Sequence, residues 1–221
     1  MLTIIYKLEF VSLHNLDMEK RNNKIVYTNM EEILDTSHTA LVVWDVQNLL
    51  VSKIFNKQEF MNNLISTVEL ARKSKVPVFF TRIQMLPIQF ESPSRLYSFS
   101  KIGLDRIGQP SAEDMALTIK PDQNEIVIDK HTASIFIDTG FERMIRNAGI
   151  VTVAFTGIAT EFGVESSARD ALSRGFYSVV VSDIVSSPDR ESHARSLENM
   201  EKMMTVVNSK DIENIWSKVH N

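Results

Sequence analysis

The stretch Val151–Ala171, VTVAFTGIATEFGVESSARDA, constrains the fold more than any other part of the chain. It opens on an unbroken apolar run and breaks at Thr156-Gly157-Ile158-Ala159-Thr160. It then resumes with Ala168, Ala171 and Leu172 at helical spacing. A buried strand feeding a helix through a short Gly/Thr turn leaves free backbone N–H groups at the helix mouth. Gly163 falls in the first turn of that helix, where glycine costs about 1 kcal/mol against alanine and no C-cap is due. Two explanations fit such a glycine: close approach of another group to the backbone, or helix-on-sheet packing at a crowded crossing.

Similar units recur along the chain. Thr39–Trp44 is a continuous apolar run, as expected for a central strand of a parallel sheet buried on both faces, and it ends in Asp45-Val46-Gln47-Asn48. Phe60, Leu64, Val68 and Ala71 mark a helix over 58–74, and Val76–Thr81 is a second strand with Pro77 near its start. Residues 83–123 are proline- and glycine-punctuated and mostly irregular, a length that usually signals a functional loop or lid. Strands are expected at 125–129, 151–156, 176–182 and 204–207, and helices at 136–147, 191–203 and 210–219. Strands alternating with helices of this length imply right-handed βαβ units and a parallel sheet covered on both sides. Residues 1–37 read as an N-terminal extension and linker, with an edge strand over Leu2–Phe10, ahead of one domain over 38–221. The alternative for that extension is a true start at Met18 or Met30.

In such sheets ligands bind beyond the carboxyl ends of the strands. Asp45, Lys130 and the 157–160 turn all fall just past expected strand ends, and their convergence is the main functional signal. Several chemistries are disfavoured. The chain has no cysteine, which removes disulfides, thiolate metal sites and a cysteine nucleophile. Asp45-Val-Gln-Asn lacks the glycines of a dinucleotide or phosphate loop, so no cofactor is expected. A net charge of −4 without a basic block gives no reason to expect a nucleic-acid partner. No apolar run approaches the roughly 20 residues that span a bilayer, and no secretion signal opens the chain, so a cytoplasmic protein is expected. The five histidines, residues 14, 38, 131, 193 and 220, show no metal spacing.

Taken together, Leu41-Val-Val-Trp-Asp45-Val-Gln47, Val76–Thr81, Asp129-Lys130 with Ser134-Ile-Phe136, Gly157-Ile-Ala-Thr160-Glu-Phe-Gly163-Val164, Ala168-Arg-Asp170-Ala171 and Gly175-Phe-Tyr resemble the isochorismatase-like hydrolases. The resemblance runs over about residues 39 to 207 in the family's order. It implies a three-layer αβα fold with a six-stranded parallel sheet in the order 3-2-1-4-5-6, and assembly as a homodimer or homotetramer. The family's amidases use an aspartate, a lysine and a cysteine; Asp45 and Lys130 match the first two, and Gly163 stands at the third. The turn residues Ile158, Ala159 and Thr160 would hold an oxyanion, with a cis peptide at Ile158–Ala159.

True isochorismatases resemble this chain in having glycine there. In them the aspartate is a general acid that protonates the vinyl-ether carbon, and water captures the oxocarbenium ion. That role needs Asp45 shifted toward protonation by burial, under Trp44 and Phe162, against the opposing charge of Lys130. The missing side chain at Gly163 is expected to leave a hollow for a bulkier substrate, between the carboxylate and the ammonium. Ala159-Thr160-Glu161, in contrast, is closer to the amidases' turn. The family's metal-dependent nicotinamidases carry Asp-x-His after the second strand, and Arg82-Ile-Gln-Met85 does not supply it. Gln47, Arg82, Arg95 and Phe162 are the expected substrate contacts, with an arginine for a substrate carboxylate. Ser166 and Ser167 read as helix packing or back-bonding rather than nucleophiles, and Asp183 as a cap of the next loop or helix. Three functions stay open: a hydrolase acting without a cysteine on a small, isochorismate-like molecule, an inactive member that binds or assembles, and an amidase with a non-cysteine mechanism.

Overall fold

The computed structural model describes residues 24–101, 103 and 110–220. The six strands are β1 (Thr39–Trp44), β2 (Val78–Ile83), β3 (Ile126–Lys130), β4 (Thr152–Ile158), β5 (Tyr177–Ser186) and β6 (Thr205–Val207). They form one sheet in the order β3-β2-β1-β4-β5-β6, with every neighbouring pair parallel. This is the expected three-layer architecture.

Each face of the sheet carries its own core, because successive side chains on a strand point to opposite sides. On one face Leu41, Val43, Phe80, Val179 and Val181 pack with Phe60, Leu64 and Val68 of α3 (Lys57–Lys73) and Ile212 and Trp216 of α9 (Ser209–Trp216). On the other, Ala40, Val42, Trp44, Val153 and Phe155 share a cluster with Phe141 and Ile145 of α6 (Phe141–Asn147), Ala168 and Ala171 of α7 (Glu165–Ser173) and Met200 of α8 (Arg190–Glu201). β1 is buried at all six positions, which explains its unbroken apolar run. Among the described residues no helix is long and apolar enough to cross a membrane.

Three local expectations differ from the structure. The segment Tyr27–Thr36, expected as linker, packs on the core. It holds α1 (Met30–Ile33), and Leu34 is fully buried with its carbonyl accepting from Trp216 Nε1 at 2.8 Å. Tyr27 stacks on His38 at 4.6 Å. Polar composition hid this, because the anchoring residues are few. The helix expected from Phe136 starts at Phe141, since Asp138 takes a left-handed φ of 57° and Ser134 Oγ accepts from the Phe136 N–H. Residues 83–123, expected as mostly irregular, hold two helices that the sequence did not place, α4 (Pro93–Lys101) and α5 (Ala112–Met115), and Ser111 and Asp114 form a reciprocal N-terminal cap on α5. The edge strand expected over Leu2–Phe10 lies outside the described residues.

Candidate active site

The end of β1 organises the candidate site. Asp45 leaves the strand with φ 46°, a left-handed conformation uncommon for a residue with a side chain, and this turns its carboxylate over the carboxyl edge of the sheet. β2 lies beside β1 and places Thr81 next to it. The Asp45 N–H donates to Thr81 Oγ1 at 3.0 Å, and the same hydroxyl donates to Asp45 Oδ1 at 2.5 Å. β3 is the next strand out, and its last residue, Lys130, donates from Nζ to Asp45 Oδ2 at 2.6 Å. Three neighbouring strands therefore meet on one carboxylate.

Asp45 is 5% exposed and Lys130 is 2% exposed. Burial raises the Asp45 carboxyl above its ordinary range, opposed by the Lys130 ammonium and by the hydrogen bonds from Lys130 and Thr81. Burial likewise lowers the Lys130 ammonium, opposed by Asp45, and the nearby Arg95 charge adds to the lowering. Desolvation thus pushes both partners toward their neutral forms. The direction expected for a general-acid aspartate is present, and its cause is burial.

The expected hollow is not there. Trp44 lies on the same face of β1 as Ala40 and Val42, the face covered by α7, and is 1% exposed. A Cβ on Gly163 would fall 2.0 Å from Trp44 Nε1 and 2.2 Å from Cε2. The indole fills the space, and its ring also carries Lys130 Nζ 3.9 Å from the centroid, a cation–π contact. Of the two explanations for Gly163, crowded packing is therefore the one the structure supports. Gly157 is needed for a related reason: it lies opposite Trp44 in the β1–β4 register with φ 113°, and a Cβ there would meet the Trp44 carbonyl oxygen at 2.0 Å.

The turn after β4 has the expected form. The Ile158–Ala159 peptide is cis. Thr160–Val164 then wind as one π-helical turn, closed by the Val164 N–H to the Ala159 carbonyl at 3.3 Å, and run directly into α7. Thr160 Oγ1 lies 2.8 Å from His193 Nδ1, so His193 is a bonded structural histidine that braces the turn from α8.

The expected substrate contacts separate into groups. Gln47 is buried and spent on backbone: Nε2 donates to the Met115 carbonyl at 2.8 Å and Oε1 accepts from the Ile83 N–H at 3.0 Å. It latches α5 and the exit of β2 to the end of β1, with the Thr118 N–H to the Val46 carbonyl adding to that latch. Arg82 is bound in a fork to Asp129, at 2.6 and 2.9 Å, on the outer side of β2 and β3. Phe162 is 51% exposed. Arg95, on α4, is the only one of the four whose charge acts on Lys130; it pairs loosely with Glu91 at 3.5 Å. Ser167 donates back to the Gly163 carbonyl at 2.7 Å, as expected, whereas Asp183, expected to cap the next loop or helix, instead accepts from the Ser209 N–H at the start of α9, beyond α8.

One site residue carries no role in the sequence reading, and another carries a different one. Thr81 stands in a recognised motif without a role, although its place at the end of the expected second strand is the available signal. Trp44 is expected over Asp45, but its contacts with the Gly163 backbone and with Lys130 are not anticipated. Among the described residues no three His, Asp or Glu side chains converge as metal ligands. The polar groove between α3 and α9 and the shallow one along α6 do not reach Asp45 or Lys130.

Comparison with known proteins agrees with this geometry. The isochorismatase domain family model matches residues 39–211. The ureidoacrylate amidohydrolase RutB of Methylobacterium radiotolerans is 27% identical over 212 residues, covering 84% of this chain and 82% of that protein. Nicotinamidase 3 of Arabidopsis thaliana is 26% identical over 163 residues, covering 73% and 79% respectively. A cysteine hydrolase structure from Pseudomonas syringae pv. phaseolicola superposes with a TM-score of 0.74 at 17% identity, over 84% of this chain and 95% of that one. With the sheet order, the cis turn and the Asp45–Lys130 pair all in place, the chain belongs to the isochorismatase family of hydrolases.

Proposed function

We propose that this chain hydrolyses a small carboxylate-bearing molecule in the cytoplasm without forming a covalent enzyme intermediate, with Asp45 as general acid/base and Lys130 as its charge partner. The observation that carries the reading is the buried pair itself, Asp45 Oδ2 to Lys130 Nζ at 2.6 Å with the carboxyl shifted toward protonation. Two opposite charges buried together are often no more stable than a packed apolar pair, so keeping both is better explained by chemistry than by packing.

On an isochorismate-like enol ether, protonated Asp45 would give its proton to the vinyl carbon. Water would then add to the oxocarbenium ion and return a proton to the carboxylate, and the hemiketal would release ketone and alcohol. Because Trp44 fills the space at Gly163, the substrate would not lie beside Cα of residue 163. Arg95 is the remaining candidate for the substrate carboxylate. On an amide, the substrate class in the names of the amidohydrolase relatives, the same pair would activate water directly.

A second reading has an observation in its favour. The filled hollow and the near-complete burial of Asp45 and Lys130 also suit a member that no longer turns over substrate and binds or assembles instead. One panel separates the readings: isochorismate, nicotinamide, ureido acids and N-carbamoyl amino acids, offered to wild type and Asp45→Asn. Turnover by wild type alone supports the hydrolase; equal background rates in both support the binding-only member. Self-association would cover the exposed Ile88, Phe90 and Tyr97 near α4, and sedimentation of the wild-type chain measures it.

A further inference from the structure

Trp44 and Gly163 are in mutual contact, and each accounts for the other. The indole atoms Nε1, Cε2 and Cζ2 lie 2.0, 2.2 and 2.4 Å from where a Cβ on residue 163 would stand, well inside the 3.0 Å that real Cβ atoms respect. The indole is hemmed in: Trp44 is 1% exposed, it shares a buried cluster with Val164 and Ala168, and Lys130 Nζ sits on its ring.

We infer that Trp44 and Gly163 act as one determinant of reaction route. The indole takes the volume that a nucleophilic side chain at 163 would need, and it seats the Lys130 ammonium on its face. The chain is thereby confined to chemistry without a covalent enzyme intermediate. This inference rests on matching residue 163 to the nucleophile position of the family's amidases. It has a specific consequence: exchanging either residue alone installs no working nucleophile, whereas exchanging both does. Trp44 is a positioning residue in this scheme, acting through Lys130 and through the space it occupies.

The chain has no cysteine, so Gly163→Cys creates its sole thiol. The experiment measures iodoacetamide alkylation against pH for Gly163→Cys and for Trp44→Val with Gly163→Cys, together with thermal unfolding. The double variant is expected to label fully, with half-maximal rate below the ordinary cysteine value of about 8.5, because Lys130 favours the thiolate. The single variant is expected to label at least ~10-fold more slowly and to melt ~5 °C or more lower, since its Cβ collides with a buried ring.

A single variant that melts and labels like the double overturns the inference, and so does a double variant with an ordinary or absent thiol titration. If the double variant does not fold, Gly163→Ala is compared in the wild-type and Trp44→Leu backgrounds. A large fall in Tm with Trp44 and a small one with Leu upholds the pairing, and equal falls overturn it. Wild-type turnover enters none of these readouts. Loss of Asp45-dependent hydrolysis would remove the proposed reaction and leave this pairing standing, and the converse also holds.

Discussion

Asp129 and Lys130 are neighbours on β3, and each makes an ion pair of 2.6 Å, one with a residue of β2 and the other with the residue just past β1. Strand alternation sends them to opposite sides. Asp129 meets Arg82 at the outer surface, where the two side chains are 45% and 37% exposed. Lys130 meets Asp45 beneath the covering segments, at 1% and 7%. Equal geometry produces opposite electrostatics. The Arg82 guanidinium holds the Asp129 carboxyl below its usual range, whereas burial lifts the Asp45 carboxyl above it. A short ion pair is therefore not a functional signal by itself. Removal from water is what leaves a carboxyl ready to hold a proton.

The largest expected effect is on the buried pair. Asp45→Asn should lower kcat/KM by about 10²–10⁴, the share typical of a lost general acid/base. It also strands the Lys130 ammonium and should cost ~3–5 kcal/mol in urea unfolding. Asp45→Asn together with Lys130→Met should recover most of that stability and none of the activity. If the paired exchange kept turnover, the distinction between the two pairs would have no functional content.

pH sharpens the same contrast. A general acid works protonated, so activity should fall as pH rises through the raised Asp45 value. For stability the signs are opposite. The raised Asp45 group contributes most below the unfolded carboxyl value of about 3.9, and that contribution is lost as pH rises through its folded value. The depressed Asp129 group contributes above about 3.9 and loses its share as pH falls. An activity profile that rises with pH across this range would argue for an ionised Asp45 as base instead.

Thr81→Val should have an intermediate effect, about 1–3 kcal/mol, because the Asp45 carboxylate and N–H each lose a buried partner. The Thr81 hydrogen bond lowers the Asp45 value, so its loss should move the activity limb to higher pH. The smallest effect belongs to the surface pair: Arg82→Ala or Asp129→Asn should change stability by less than ~1 kcal/mol, and less still in high salt. A loss as large as that of Asp45→Asn would show that exposure is a poor guide to these pairs.

Much of this was legible before any coordinates. The apolar runs of β1 and β4 predict strands buried on both faces, and their polar exits predict which edge carries the chemistry. Asp45 and Lys130 could be paired because both stand at strand ends on that edge. Gln47 and Arg82 were legible as polar residues at the same edge but not by role. Gln47 turns out to bond only backbone, and Arg82 points outward because it alternates with Thr81 along β2.

The sequence by itself determined the alternation of strands and helices, the edge where the site lies, and the absence of a thiol. Local pattern suffices for these, since periodicity and residue chemistry are written along the chain. Only the tertiary structure decided what occupies the space beside Gly163. That depends on how closely α7 crosses β1 and on where a tryptophan more than a hundred positions earlier directs its ring. Nothing in local pattern records the distance between two elements so far apart in the chain.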